Sequence, residues 1–312
     1  MKTRTQLHAA PVVIVGSIAY DNIETPFASG TRLLGGATSY AAIAAGYFTE
    51  ARAVGIVGKD FDPVDLARLE ENNVNTAGIV RDDSGDTFSW SGRYHDNFNK
   101  RDTLETRLNV FEKFRPDIPA DWRNSKFLLL ANIHPALQTS VLEQMSGAPF
   151  VVLDTMNLWL DIAREELERL VPRVNLFIIN DDEAAQMTGE RNAIRAGRAL
   201  QKKFPSLPYL IVKKGEHGAV LFAREELFVF PAFPTTDVQD PTGAGDTFAG
   251  ALTGFLAAQT GKISSAEIRR GIVYATVFAS FAIEAFSTTR IEKLSREKIL
   301  ARCSMLAEIT RV

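Results

Sequence analysis

The chain has 312 residues, of which 46% are hydrophobic and 23% are charged, close to the average of soluble globular proteins and unlike disordered or fibrous chains. Its net charge of −3, from 35 basic and 38 acidic residues without a basic cluster, argues against binding to nucleic acid or an anionic membrane, so a small molecule is the expected partner. The single cysteine, Cys303, cannot form an intramolecular disulfide, and the longest apolar stretch, residues 274–286, is too short for a membrane span, so we expect a cytoplasmic protein.

Short apolar, β-branched runs alternate with helical patterns along the chain. The first four predicted elements are a strand at Val12–Val15, a helix at 38–48, a strand at 53–57 and a helix at Pro63–Glu71. Further strands are predicted at 127–131, 150–154, 176–179, 209–212 and 219–222. Because these runs are continuously apolar, they predict an α/β fold, a single domain over residues 1–312 with a mostly parallel sheet covered by helices on both faces.

Residues 86–95 break this rhythm, because aromatic and polar residues alternate there as in a strand with one wet face. We interpret them, with residues 18–34 and a further strand at 109–114, as a small β lid formed by about 18–34 and 84–115. An antiparallel edge of the main sheet is the alternative. Trp90 and Arg93 are expected on opposite faces of this strand, where they could stack on a sugar or base or pair with an acidic sugar, or pack the lid into a homodimer.

The segment 240–250, Asp-Pro-Thr-Gly-Ala-Gly-Asp-Thr-Phe-Ala-Gly, precedes an apolar helical pattern and carries the main functional signal. A glycine-rich turn that enters a helix directs unpaired backbone N–H groups at one point, where the helix dipole also favours an anion. Asp246 would repel a resting phosphate, so its predicted use is to accept the proton of a hydroxyl that attacks a phosphorus atom. The alternative is that Asp246 is only the helix N-cap.

This segment resembles the C-terminal signature of the ribokinase-like (PfkB) carbohydrate and nucleoside kinases, and other stretches match that family in order. These are Gly16-Ser17 with Asp21, Gly35-Gly36, the turn 57–60, the stretch 180–183 with Asn180 and Glu183, and the loop 213–218 with Lys213, Gly215 and Gly218. The resemblance implies a Rossmann-like domain with a β lid and an ATP-dependent kinase whose acceptor is a hydroxymethyl group. A sugar is the first expectation for the acceptor, and a nucleoside is the alternative.

The resemblance also implies roles for individual residues. The backbone around Gly243, Ala244 and Gly245 would form an anion hole and Asp246 would be the base. The nucleotide would bind at Asn180, Glu183, Lys213, Gly215 and Gly218, with Mg²⁺ held by Asn180 and Glu183 partly through water, and K⁺ at Asp240 and Thr242. From the residues alone, Asn180 as a helix cap and Glu183 as a solvated first-turn residue are equally good interpretations.

The residues expected to bind the acceptor each allow two interpretations. Asp21 could accept hydrogen bonds from two hydroxyls of a diol, or be a turn aspartate, and Gly35 and Gly36 would let a substrate lie against the backbone, or mark the entry to a helix. The family usually has asparagine at the position of Tyr40, so Tyr40 either reshapes the pocket or faces the core. Polar residues that follow predicted strands, Asn132, His134, Asp154 and Asn157, are also expected near the cleft; for His134, a structural role in a turn before Pro135 is favoured.

Three other functions would each leave a different sequence signature. A dinucleotide-dependent dehydrogenase is disfavoured because Gly16-Ser17-Ile18 lacks the G-x-G-x-x-G pattern, and a P-loop kinase because its lysine-containing glycine motif is missing. A sensing protein of the same fold would keep Asp21 but lose the base, whereas Asp246 is present.

Overall fold

The structure is a computed structural model that describes residues 9–96, 98 and 100–311. The remaining residues of the predicted domain, 1–8, 97, 99 and 312, lie outside the described ranges. The strands are β1 (Val12–Val15), β2 (Ala19–Glu24), β3 (Ser29–Gly35), β4 (Ala51–Gly58), β5 (Val74–Asp82), β6 (Ser89–Tyr94), β7 (Arg101–Arg107), β8 (Phe127–Leu130), β9 (Phe150–Leu153), β10 (Leu176–Asn180), β11 (Tyr209–Lys213), β12 (Ala219–Ala223) and β13 (Glu226–Phe230).

The helices are α1 (Ala37–Gly46), α2 (Pro63–Glu71), α3 (Pro135–Gln144), α4 (Asn157–Ile162), α5 (Arg164–Leu170), α6 (Asp181–Thr188), α7 (Ala193–Lys203), α8 (Ala244–Ala257), α9 (Ser265–Ala282) and α10 (Arg296–Ile309). Short 3₁₀ turns lie at Asn109–Lys113, Ala120–Trp122, Val171–Arg173, Gly215–His217 and Ile291–Lys293. The predicted α/β class is confirmed. Two strands that the sequence analysis did not predict, β5 and β13, form the edges of the main sheet.

The main sheet has the order β13-β12-β11-β10-β9-β8-β1-β4-β5 in the described part of the chain. The strands from β11 to β5 pair in parallel, and β12 and β13 add an antiparallel edge. Alternate residues of each strand face opposite layers: Val12 and Ile14 pack toward α1, α8 and α9, whereas Val13 and Val15 belong to the core on the other face. Burial on both faces explains why these strands are continuously apolar.

A separate sheet, which we call the lid sheet, has the order β3-β2-β6-β7. Strand β2 pairs in parallel with β6 and antiparallel with β3, and β7 pairs antiparallel with β6. β7 is exposed along its whole length and has no apolar face, which is why its sequence gave no strand signal. The lid sheet places Tyr94 and Arg101 beside each other at one end of the β6–β7 pair.

The predicted strand at 109–114 is wrong, because Asn109–Lys113 is a 3₁₀ turn outside the lid sheet. Val110 and Phe114 are buried in the core of the main sheet, together with Val54 and Trp122. The left-handed conformation of Asn109, with φ of 50°, ends the preceding extended segment, and its side-chain amide donates to the carbonyl of Thr87 at 2.9 Å. The apolar residues of this segment therefore pack on the main sheet from a turn and not from a strand of the lid sheet.

Candidate active site

Helix α8 begins directly after the glycine-rich loop. Gly243 is its N-cap residue, with φ of 74°, and no side chain caps the helix. A residue with a Cβ would be strained at this φ, so glycine is required by the backbone itself. Asp246 is the third helical residue, so the alternative that it serves as the N-cap is wrong. The first turn of α8 therefore leaves its amide groups free of a capping side chain and directs positive potential at the loop.

The carboxyl group of Asp246 lies at the edge of the cleft, partly exposed but largely surrounded by protein. This desolvation raises its pKa to about 6, and the nearby carboxyl of Asp154 adds to the rise. The cations Lys213 and Arg101 oppose it. A carboxyl with a pKa near 6 is ionised at neutral pH and still basic enough to take a proton from a reacting hydroxyl.

Lys213, the last residue of β11, points at the same loop. Its Nζ lies 3.3 Å from Oδ1 of the buried Asp154, and a Cβ added to Gly245 would be 2.9 Å from Nζ. Burial lowers the pKa of Lys213, but Asp154, Glu183 and Asp246 together outweigh it, so the pKa is raised and the lysine stays cationic. A partly buried cation therefore faces the backbone of the glycine-rich loop.

Asn180 and Glu183 form a capping box at the start of α6. Asn180 Oδ1 accepts from the N–H of Glu183 at 2.8 Å, and Glu183 Oε2 accepts from the N–H of Asn180 at 2.9 Å. The alternative that Asn180 is a helix cap is therefore realised, whereas Glu183 is buried and not a solvated residue. Burial raises the pKa of Glu183 to about 7, against the opposing effect of Lys213.

A cleft of about 640 Å³ joins these groups to the predicted nucleotide loop. Gly215 and Gly218 both have positive φ, and a Cβ on Gly218 would collide with the carbonyl of Phe230. The wall beyond them is largely apolar and carries Phe233, Val238, Ala279 and Ile283. The cleft thus has a cationic, glycine-lined end and an apolar end, which fits a nucleoside triphosphate with its phosphates at the glycine-rich loop.

Asp21 on β2 lies beside the predicted diglycine. A Cβ on Gly35 would be 2.0 Å from Oδ2 of Asp21, and the backbone N–H of Gly36 donates to the carboxyl. Only glycine at position 35 leaves room for Asp21, which is 4% exposed. Burial raises the pKa of Asp21 to about 8, Asp240 and Asp246 add to the rise, and Arg101 opposes it. Asp21 and Asp246 therefore lie close enough to affect each other's charge.

Tyr40 lies in α1, in the core beneath the glycine-rich loop, and is 1% exposed. A Cβ on Gly243 would be 2.5 Å from three carbons of its ring. Its hydroxyl is buried and has no hydrogen-bond partner in the described part of the chain. Of the two interpretations of Tyr40, this position favours the one in which it faces the core.

The lid sheet contacts the glycine-rich loop through Tyr94, whose hydroxyl is 3.0 Å from Thr242 Oγ1. Trp90 packs over Gly92, and its Nε1 donates to Thr103 at 3.3 Å. Arg93 is exposed and forms an ion pair with Glu24 at 2.6 Å. Tyr94 is therefore the lid residue that reaches the loop.

Asp240 and Thr242 belong to the same loop. Asp240 is fully buried; its Oδ1 accepts from the N–H of Thr242 at 2.9 Å, while Oδ2 has no hydrogen-bond partner among the described residues. Burial raises the pKa of this carboxyl, and Thr242 and the backbone of Ser287 oppose the rise. The segment 286–290 therefore meets the glycine-rich loop at Asp240.

The residues after β8 and β9 have different positions. Asp154 pairs with Lys213, as described above. Asn132 accepts from Trp159 Nε1 at 2.7 Å, and His134 caps α3 by accepting from the N–H of Ala136. Asn157 is exposed at the start of α4. The structural role favoured for His134 agrees with its cap, and the partnership of Asp154 with Lys213 could not be read from the sequence.

The family model for "pfkB family carbohydrate kinase" matches residues 12–294, nearly the whole chain. The chain belongs to the pfkB family. As a pfkB kinase, it is an ATP-dependent enzyme that phosphorylates a hydroxyl group of a sugar or nucleoside. Kinases of this family use ATP with Mg²⁺.

Among the relatives of this pfkB kinase, a cytidine kinase of Thermococcus kodakarensis is 28% identical over 262 residues, which cover 79% of this chain and 87% of that protein. A nucleoside kinase of Burkholderia thailandensis, solved in complex with inosine, superimposes with a TM-score of 0.77 at 20% identity, covering 95% of this chain and 98% of that one. A protein of Escherichia coli described as ribokinase II, solved with ATP and Mg²⁺, has a TM-score of 0.74 at 18% identity over 96% and 99% of the two chains. The two structural likenesses establish the ribokinase-like fold.

Residues 9–96, 98 and 100–311 of this pfkB kinase contain no helix long and apolar enough to cross a membrane. They also contain no group of three or more His, Cys, Asp or Glu side chains arranged to hold a metal ion. The Asn180–Glu183 pair leaves one carboxylate oxygen of Glu183 outside the capping box, which fits a Mg²⁺ bound through water and phosphate oxygens.

Proposed function

We propose that this pfkB kinase transfers the γ-phosphoryl group of ATP to the hydroxymethyl group of a ribose ring, and that its acceptor is a nucleoside. The carrying observation is the placement of Asp246 and Asp21 in one site. Asp246 stands in the uncapped first turn of α8, and its charge raises the pKa of Asp21. The proposed base for one hydroxyl and a carboxyl group whose oxygens could accept from a diol therefore lie close together.

The phosphate end of the cleft supports the donor side of this proposal. Backbone N–H groups around Gly243, Ala244 and Gly245 would stabilise negative charge on the transferring phosphoryl group, and Lys213 would neutralise phosphate oxygens. Gly215 and Gly218 would let the nucleotide lie against the backbone. Mg²⁺, held through water at Glu183 and Asn180, would supply charge neutralisation between the β- and γ-phosphates.

In the proposed reaction, the acceptor hydroxyl gives its proton to the Asp246 carboxylate while its oxygen bonds to the γ-phosphorus of ATP. The bond from that phosphorus to the bridging oxygen breaks, and ADP leaves with the electron pair. Asp21 would hold the ribose diol so that the attacking oxygen is in line. The lid sheet would exclude water, which would otherwise compete as acceptor.

From the sequence alone, a free sugar is the first expectation for the acceptor. The similar proteins are the reason that we propose a nucleoside instead. The cytidine kinase matches across 79% of this chain, and the inosine complex shares the fold. The guanidinium of Arg93 is paired with Glu24. We therefore propose that Trp90 and Arg93 contribute to acceptor binding indirectly, by stabilising the lid sheet.

A screen of ADP release tests the acceptor. The purified chain with ATP and Mg²⁺ is offered cytidine, uridine, inosine, adenosine, ribose, fructose and a keto-deoxy sugar acid, and products are identified by mass spectrometry. We expect a nucleoside 5′-monophosphate and the highest kcat/KM with a nucleoside. A higher kcat/KM with a free sugar would overturn the nucleoside assignment, and no ADP release with any acceptor would favour the sensing protein.

A monovalent cation is proposed at Asp240 and Thr242, where the buried Asp240 Oδ2 has no hydrogen-bond partner among the described residues. K⁺ there would compensate a buried negative charge beside the anion hole. Turnover measured in potassium chloride should exceed that in choline chloride of equal ionic strength. Equal turnover in the two salts would argue against the site.

We also propose a homodimer formed through the lid sheet, which exposes the apolar side chains of Phe27 and Leu104.

A further inference from the structure

Arg101 is the first residue of β7, and its register partner on β6 is Tyr94. Because the hydroxyl of Tyr94 is 3.0 Å from Thr242, this end of the lid sheet rests on the loop that contains Asp246. Arg101 is therefore carried by the lid sheet to the edge of the site, although it lies far in sequence from every motif of the family resemblance. Nothing in the sequence distinguishes it from the other exposed residues of β7.

Two aromatic side chains lie beside the Arg101 guanidinium. Arg101 opposes the rise that burial causes in the pKa of Tyr94, and its central carbon lies 5.3 Å from the ring centroid of Trp90. Stacking on an aromatic face leaves the N–H edge of a planar guanidinium available for oxygen ligands. The contrast is Arg107 on the same strand, whose Nε is held by Glu105 at 2.8 Å.

The charge of Arg101 reaches two carboxyl groups on two different elements. Burial raises the pKa of Asp21 on β2 and the pKa of Asp246 on α8, and Arg101 opposes both rises. These carboxyls lie at the acceptor end and at the base position of the proposed site. The guanidinium of Arg101 therefore lies near the space between the two proposed substrates.

We propose that Arg101 is a catalytic residue, which binds the equatorial oxygens of the transferring phosphoryl group from the lid sheet while Lys213 binds the phosphates from the main sheet. This inference rests on the proposed phosphoryl transfer. Negative charge spreads over the equatorial oxygens in the transition state, and a guanidinium can donate two parallel hydrogen bonds to them. The lid sheet would then complete the catalytic site as well as cover it.

The alternative is that Arg101 only holds the lid sheet together through Trp90 and Tyr94. The variants Arg101→Met and Arg101→Lys separate the two roles, with Arg107→Met as a control on the same strand. We expect Arg101→Met to lower kcat by roughly 10²- to 10³-fold and to weaken binding of a non-hydrolysable ATP analogue but not of ADP. Arg101→Lys should recover part of kcat, and Arg107→Met should resemble the wild type.

The pH profile gives a readout that a packing role would not move. Asp21, Asp154, Lys213 and Arg101 are the titratable and charged neighbours of Asp246, so removing the Arg101 cation should shift the rising limb of kcat/KM to higher pH. The proposal is overturned if Arg101→Met retains the kcat of the wild type. It is also overturned if Arg101→Met weakens the binding of ADP and of the ATP analogue equally and leaves the pH profile unshifted. In either case Asp246→Asn stays inactive, whereas failure of the proposed function would leave the wild type without acceptor phosphorylation.

Discussion

The ring of Tyr40 lies directly beneath Gly243, so close that any Cβ at Gly243 would be 2.5 Å from ring carbons. Gly243 in turn adopts a φ of 74° and caps the helix that carries Asp246. The tyrosine that replaces the family's usual asparagine is therefore the support on which the glycine-rich loop rests. This relationship explains how the loop can keep its backbone conformation without a capping side chain.

Tyr40→Phe tests whether the ring or the hydroxyl matters. The hydroxyl is buried without a partner, so its removal should raise the free energy of unfolding by about 1 kcal/mol and leave the acceptor KM unchanged. Tyr40→Ala should lower the free energy of unfolding by about 3 to 5 kcal/mol and reduce kcat, because the loop loses its support. Urea titrations and steady-state kinetics measure both. A raised acceptor KM in Tyr40→Phe would show that the hydroxyl reads the substrate.

Asp21→Asn should weaken binding of the acceptor and leave binding of the nucleotide unchanged. Loss of one carboxyl oxygen that accepts from the acceptor's hydroxyls should lower kcat/KM for the acceptor by roughly 10²-fold, with little change in KM for ATP. Asp83→Asn, an exposed carboxylate after β5, is the matched control. If Asp21→Asn had the acceptor kinetics of the wild type, Asp21 would be only a turn residue.

The buried carboxyls also predict how stability depends on pH. The folded-state pKa of Asp21 is about 8, above its usual value of 3.8, so its contribution to stability is present below pH 3.8 and is lost as the pH rises through about 8. Without ligands and with EDTA, Asp21→Asn should therefore become progressively more stable than the wild type between about pH 5 and pH 8. Urea titrations across this range measure the difference. A constant difference would contradict the raised pKa.

The sequence predicts the main sheet well because its strands are buried on both faces. Continuous apolar runs such as β1 and β8 need no tertiary information, and the glycine-rich loop that the sequence singles out lines the cleft. The predicted helix at Pro63–Glu71 agrees with α2, which starts with a proline and an aspartate cap. Local chemistry and tertiary packing indicate the same structure in these segments.

Other features depend on contacts between distant segments and could not be predicted. The turn at Asn109–Lys113 has the alternation of a strand, but its apolar residues pack on the main sheet. Strand β7 has one apolar residue, Leu104, and is exposed along its whole length, so neither its existence nor the position of Arg101 has a periodic signal. The pairing of Lys213 with Asp154 joins the ends of β11 and β9, which only the strand order brings together.

The central claim is that Asp246 takes the proton of the acceptor hydroxyl, and Asp246→Asn tests it most directly. Asn keeps the size of the side chain but removes the base, and Asp237→Asn, exposed on the same connecting segment, is the control. Single-turnover rates with saturating ATP, Mg²⁺ and the preferred acceptor should fall by roughly 10³-fold or more in Asp246→Asn, while the Kd of an ATP analogue stays near that of the wild type. A near-normal single-turnover rate in Asp246→Asn would show that another group, or no group, removes the proton.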